Sequence, residues 1–156
     1  MCTYIAEIKA SYREVKKETS RIARKSYENP VDTLKEDNID EFLDAINIIT
    51  RDLNSVTQST NELIRIVRNN FCELSKEEAK ELLGLSHPIL SKMQLLHTKL
   101  IASPLYRGMT TSVELYSDAM SDFEELCQDL QTFRVELNQN EDYQQTLQQL
   151  NEMLKI

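Results

Sequence analysis

Glycine, proline and tryptophan are scarce in this chain of 156 residues, which contains two glycines, three prolines and no tryptophan. Glycine averages about 7% of residues in proteins, and the tight turns of a multi-stranded sheet usually need it. The scarcity therefore argues against an all-β or doubly wound fold. It also excludes glycine-rich phosphate loops, because these need two or three glycines within a few residues, whereas Gly84 and Gly108 are isolated.

Long apolar runs and a cysteine framework are also missing. The sequence has no run of 18 apolar residues, so we expect no membrane span. Residues 1–7 lack the cationic start and apolar core of a signal peptide. The three cysteines, Cys2, Cys72 and Cys127, are too far apart for a zinc site and odd in number for a disulfide framework. These features predict a cytoplasmic protein with free thiols.

The charge is acidic and unevenly distributed. The net charge is −8 and the isoelectric point is near 4.8, which argues against extensive binding to nucleic acid or to anionic membranes. Residues 1–28 have a net charge of +3, whereas residues 110–156 have a net charge of −8. The two segments could therefore be complementary neighbours inside one fold.

The apolar residues recur at alternating steps of three and four, which is typical of packed helices. This pattern predicts a single domain over residues 1–156, with helices at about 3–28, 38–72, 76–102, 111–138 and 142–155. Ser75 and Glu78 have the spacing of a capping box at the start of the third helix. The apolar register continues through Pro88, which favours a kinked continuous helix over a break at residues 84–86. Residues 138–142 interrupt the apolar pattern before the last short helix.

The predicted fold is all-α: an up-down-up-down antiparallel four-helix bundle with a short extra C-terminal helix or helix extension. In that topology we expect helix 1 to lie beside helix 4. The basic first segment would then neutralise the acidic last one without an external partner.

Motifs for catalysis or for cofactor and metal binding are absent. A di-metal bundle needs Glu three residues before each ligating His, but Gly84 precedes His87 and Gln94 precedes His97 at that spacing. Cys127 lies on an apolar stripe, which is typical of a buried structural cysteine. We therefore expect no catalytic residue, no cofactor and no metal.

The segment Leu96-His97-Thr98-Lys99-Leu100 resembles the active segment of histidine phosphotransfer domains, which are also four-helix bundles. The resemblance covers five residues. The lysine comes two residues after the histidine, and no glycine follows, unlike the family's His-x-Leu-Lys-Gly pattern. The resemblance implies a phosphoryl acceptor at His97 with Lys99 beside it.

Three surfaces are candidates for contact with a partner, and each can also be explained by packing within the bundle. They are the basic face of helix 1 (Arg13, Lys17, Arg24), the 104–109 loop (Leu105, Tyr106, Arg107) and the last helix (Tyr143, Leu147, Leu150, Leu154). Tyrosine and arginine are favoured at protein interfaces, and a free amphipathic helix can dock on another chain. A nucleic-acid groove usually adds aromatic side chains for stacking, and helix 1 has few.

These observations favour a non-enzymatic protein-interaction module, such as an adaptor, regulator or assembly subunit. Its partner would be another protein, bound through the C-terminal helix or the 104–109 loop, or a second copy in a homo-oligomer. A signalling bundle, using His97 or sensing a small ligand, is the alternative. An accessory subunit of a nucleic-acid complex, using helix 1, is the third.

Overall fold

Four α-helices make up the structure, which is a computed structural model. It describes residues 2–28 and 39–154, and the side chains of these residues except those of 24–28, 39 and 134–143. The helices are α1 (Ile5–Glu28), α2 (Ile39–Asn69), α3 (Lys76–Ala102) and α4 (Thr110–Leu154). Short 3₁₀ turns occupy Phe71–Glu73 and Tyr106–Gly108 in the last two connections. The predicted helical bundle is confirmed, while the connection predicted at 29–37 lies outside the described residues.

The predicted apolar stripes of all four helices meet in one core. Polar residues on the same stripes, such as Thr19 and Ser86, are buried with them. Burial of apolar surface is the main favourable term in folding, so these stripes hold the bundle together. The core includes Ile8, Tyr12, Val15 and Ile22 of α1, Leu53, Val56, Leu63 and Val67 of α2, Leu82, Ile89, Met93 and Leu96 of α3, and Val113, Tyr116, Phe123 and Leu130 of α4.

The helices alternate in direction along the chain, which confirms the predicted up-down-up-down order. Ser55 of α2 donates a hydrogen bond to Glu18 of α1 (3.3 Å), and Asp52 of α2 pairs with Arg21 of α1 (3.7 Å). From one contact to the next, the residue number increases on α1 and decreases on α2, so the two helices are antiparallel. The same holds for α3 and α4, because Tyr116 of α4 bonds to Met93 of α3, and Cys127 of α4 lines the same groove as His87 of α3.

The lateral arrangement differs from the expected one, because α1 does not lie beside α4. Helix α1 packs on α2 and α3, and α4 packs on the same two helices from the opposite corner. The α1–α3 and α2–α4 neighbours are therefore parallel pairs. Contacts that join them are Lys9–Glu81 (2.8 Å), Ser20–Lys92 (3.2 Å) and Arg68–Asp129 (2.5 Å).

The connection between α2 and α3 explains this departure. Six residues, 70–75, can span up to about 20 Å, and the diagonal of a bundle with 8–10 Å between neighbouring axes is roughly 14 Å. The chain can therefore cross from α2 to the opposite corner, which leaves α1 and α4 on the other diagonal. Across that diagonal the rings of Tyr12 and Phe123 meet edge to face in the core, with centroids 6.3 Å apart. The expected neutralisation of basic helix 1 by acidic helix 4 is wrong.

Helix α3 begins with the predicted capping box. The Glu78 backbone N–H donates to Ser75 Oγ (3.1 Å), and the Ser75 backbone N–H donates to Glu78 Oε1 (2.9 Å). The same carboxylate oxygen accepts from the backbone N–H of Cys2 (3.1 Å). Burial opposes the charge on Glu78, but the hydrogen bonds from Ser75 and Cys2 outweigh it and hold the pKa of Glu78 below its usual value. One side chain thus caps α3 and holds the start of the described chain against it.

Helices α3 and α4 are both continuous. Helix α3 is continuous through Pro88 from Lys76 to Ala102, as the apolar register favoured. Helix α4 is also continuous to Leu154, so the separate helices predicted at 111–138 and 142–155 are one helix. Residues 138–142 are polar but include no glycine or proline, and polar residues alone do not break a helix. The helix-extension alternative is therefore the one observed.

Two tyrosine hydroxyls lie inside the core, and both find partners. Ser86 Oγ lies 2.7 Å from the Leu82 carbonyl oxygen and 2.9 Å from Tyr12 Oη. A serine has one proton to donate, so it donates to the carbonyl and accepts from Tyr12. The Tyr116 hydroxyl donates to the Met93 carbonyl oxygen (2.9 Å). Burial raises the pKa of both tyrosines, so these side chains are structural hydrogen-bond donors.

Candidate interaction surfaces

The last part of α4 continues beyond the bundle. The last described side-chain contacts between α4 and the rest of the bundle are the Arg68–Asp129 ion pair (2.5 Å) and the rings of Phe71 and Phe133, whose centroids are 4.9 Å apart. Helix α4 then continues over residues 134–154, which we call the α4 extension. At 1.5 Å per residue, these 21 residues are about 32 Å long. Every residue from 144 to 154 is exposed.

An apolar stripe runs along the α4 extension. Leu147, Leu150 and Leu154 follow one another at steps of three and four residues and are 37%, 49% and 82% exposed. Residues at these steps lie on one face of a helix, so the three side chains form a continuous strip open to solvent. Met153 is exposed beside it, and the sequence analysis did not single this residue out. Tyr143 was predicted to belong to the strip, but its side chain lies outside those described.

The 104–109 loop is packed against the bundle more closely than predicted. Leu105 is fully buried, Tyr106 is half-buried and Arg107 is exposed. A Cβ added to Gly108 would lie 2.5 Å from Cδ1 of Ile46 on α2, so glycine permits this close approach. Leu105, a predicted contact residue, therefore belongs to the core. Arg107 and part of Tyr106 remain accessible to a partner.

The basic face of α1 points to solvent. Arg13 and Lys17 are exposed, and since α4 lies across the diagonal, it does not cover them. Other bases on α1 are paired with other helices: Lys9 with Glu81 of α3 and Arg21 with Asp52 of α2. The side chain of Arg24 lies outside those described. The structure therefore leaves Arg13 and Lys17 available to an anionic partner, with no described aromatic side chain exposed beside them on the same helix.

His97 is half-buried rather than displayed. Its ring stacks on Tyr116 of α4, with centroids 6.4 Å apart and 23° between the planes. Lys99 is half-buried as well. A phosphoryl acceptor needs an accessible ring nitrogen, so this packing favours a structural role for His97. The other histidine, His87, is exposed beside a groove between α3 and α4.

The three thiols differ in burial, and the described acidic side chains form no metal site. Burial raises the pKa of the Cys127 thiol, which disfavours the thiolate that a nucleophile requires. Cys2 is also buried, and Cys72 is exposed. Within residues 2–28 and 39–154, no three histidine, cysteine or acidic side chains come together as a metal site.

No protein-family model, curated protein or solved structure matches this chain. What the chain does has to be inferred from its own surface. None of the helices in the described part of the chain is long and apolar enough to cross a membrane. In the α4 extension the predicted contact residues Leu147, Leu150 and Leu154 form an exposed apolar strip, whereas the exposed candidates elsewhere, Arg13, Lys17 and Arg107, are charged.

Proposed function

We propose that this chain is a non-enzymatic protein-interaction module, of the adaptor, regulator or assembly-subunit kind, and that the α4 extension is its contact element. The observation that carries the proposal is the exposed leucine strip, Leu147, Leu150 and Leu154, on the last part of α4. Burying such a strip in a groove or against another helix is a common way for proteins to recognise one another.

The low stability expected of an unpacked helix is a second argument that the α4 extension binds a partner. Most helical stability in proteins comes from packing an amphipathic face, and isolated helices of this length are marginal in water. The described residues 144–154 have no such packing within the chain, because all are exposed. A partner that covers the leucine strip supplies it.

The two alternative functions have less support. A histidine phosphotransfer relay would use His97, which stacks on Tyr116 and is half-buried. A nucleic-acid subunit would use Arg13 and Lys17, which are exposed but lie on a helix whose neighbouring bases Lys9 and Arg21 pair with acids of the bundle. Neither surface offers an uncovered apolar strip comparable with that of the α4 extension.

The double substitution Leu147→Ser and Leu150→Ser is expected to abolish partner capture. The experiment is a pull-down of the tagged chain from nuclease-treated native lysate, read by mass spectrometry. We expect one protein near stoichiometry with the natural sequence and at least a tenfold loss with the double variant, because truncating a hot-spot residue at the centre of an interface costs about 2 kcal/mol or more. The captured protein can be a different chain or an untagged second copy.

The matched control is the pair Leu95→Ser and Leu115→Ser. These leucines are 54% and 52% exposed, but they lie on the bundle part of α3 and α4. The control is expected to keep the partner, and circular dichroism is expected to show folded helices in both double variants. A partner that survives Leu147→Ser and Leu150→Ser would contradict the proposal, and so would a chain that captures no protein and is also monomeric at high concentration.

A further inference from the structure

We infer that the α4 extension pairs with the α4 extension of a second copy of this chain, as a short two-stranded coiled coil. The inference rests on the proposed function of the extension and names its partner. It follows from the charges around the leucine strip and along the rest of α4.

The leucines fit the seam positions of a heptad repeat. Leu147 and Leu154 are seven residues apart and take position a, and Leu150 takes position d. A seam of this kind packs side chains of one helix between those of its partner. All three leucines are exposed in the single chain, so the seam is available.

The positions that flank the seam are uncharged. Positions e and g on either side of the leucines are Gln144, Thr146, Asn151 and Met153. In coiled coils, charges at e and g select the partner by forming ion pairs or by repelling it. Neutral flanks offer no complement to a charged foreign helix, and they allow two identical helices to meet without repulsion.

The bundle part of α4 is acidic, which confines self-pairing to residues 144–154. Residues 110–133 carry six acids and no base, whereas residues 144–154 carry Glu152 as their one charge. Glu152 takes position f, on the side away from the seam. Two copies would repel each other along the bundle part of α4, and they meet almost no charge along residues 144–154. Charge and apolar surface thus point to the same segment.

The contact is small, so the pairing is expected to be reversible. Stable interfaces bury about 1,200–2,000 Å² in total, and three leucine layers bury less than that. We therefore expect a dimer that dissociates on dilution.

The test is the molar mass of the purified chain by light scattering after size exclusion, at loadings of about 200 μM and about 1 μM. The natural sequence is expected to approach twice 18.2 kDa at the high loading and 18.2 kDa at the low one. Leu147→Ser with Leu150→Ser is expected to give 18.2 kDa at both loadings.

Charge reversal tests the proposed seam. The triple variant Gln144→Glu, Thr146→Glu and Asn151→Glu places like charges on both flanks and is expected to be monomeric. Mixing it with the triple variant in which the same residues become lysine is expected to restore the dimer. The matched control, Gln145→Glu, Gln148→Glu and Gln149→Glu, adds the same charge at positions f, b and c. It is expected to dimerise like the natural sequence.

A natural chain of 18.2 kDa at both loadings, or a dimer that the double serine variant retains, would overturn the inference. Equal effects of the seam and control triple variants would also overturn it. If the chain is monomeric and the pull-down captures a different protein through Leu147 and Leu150, the proposed function holds and the second copy is not the partner. A monomer that captures nothing contradicts both.

Discussion

Phe123→Ala is expected to lower the free energy of unfolding by about 3–5 kcal/mol, the usual cost of truncating a fully buried phenylalanine. Phe123 is fully buried on α4. Its ring contacts that of Tyr12 on α1, with centroids 6.3 Å apart across the diagonal of the bundle. Removing the ring therefore leaves a cavity in the core between α1 and α4, which are not direct neighbours. The change is large beside a typical total stability of about 5–15 kcal/mol.

Urea denaturation followed by circular dichroism measures this effect. The matched control is Leu115→Ala, on the same helix but 52% exposed, which is expected to change the free energy of unfolding by no more than about 0.5 kcal/mol. A loss of less than about 1 kcal/mol for Phe123→Ala would place its ring outside the core and would contradict the diagonal contact.

Pro88→Ala is expected to raise the free energy of unfolding by about 1–3 kcal/mol. Pro88 lies inside α3 and is exposed. It has no N–H to donate to the carbonyl of Gly84, four residues earlier, and its ring crowds that carbonyl. Alanine supplies the missing donor and removes no core contact, because the Pro88 ring is not part of the buried cluster.

The same denaturation experiment tests this substitution, with Gly84→Ala as its control. A Cβ at Gly84 would meet no atom within 4 Å, and the residue has no positive φ. We therefore expect Gly84→Ala to stabilise by about 0.5–1 kcal/mol through chain entropy. If Pro88→Ala instead lowered the free energy of unfolding, the prediction would be wrong, and the packing of α3 would require proline at this position.

The sequence predicted most of the helices because their signals are local. The apolar steps of three and four placed Ala79, Leu82, Ile89 and Met93 on the buried side of α3. The apolar register favoured continuity through Pro88, which is confirmed. Of the two alternatives predicted for the C-terminal segment, a separate helix or an extension of helix 4, the structure has the extension, because polar residues interrupt an apolar stripe without stopping the backbone hydrogen bonds of a helix.

The lateral order of the helices could not be predicted from these signals. Periodicity shows which face of a helix is buried, but it does not say which helix covers that face. The charges of helix 1 and helix 4 suggested that they are neighbours. Instead, each packs on α2 and α3, and the two lie on a diagonal, where Tyr12 meets Phe123 in the core. Surface ion pairs contribute only about 0–1 kcal/mol each, so core packing decides the order.

For the candidate contact residues, too, the sequence predicted what depends on local spacing and not what depends on tertiary packing. Leu147, Leu150 and Leu154 were predicted from their spacing, and their exposure agrees with a contact role. Leu105 was grouped with Tyr106 and Arg107 from residue type, but it is buried. Gly108 lets this loop lie close against Ile46 of α2, and no local pattern in the sequence predicts that contact.

Amide hydrogen exchange of the α4 extension tests the central claim most directly. The claim is that residues 144–154 form a helix covered by a second copy of this chain. At a protein concentration well above that for half-dimerisation, we expect these amides to exchange at least tenfold more slowly than in the double variant Leu147→Ser and Leu150→Ser. Amides of residues 113–130, inside the bundle, are expected to be equally protected in both proteins. Unprotected amides at 144–154 in the natural sequence, or equal protection in the double variant, would contradict the account.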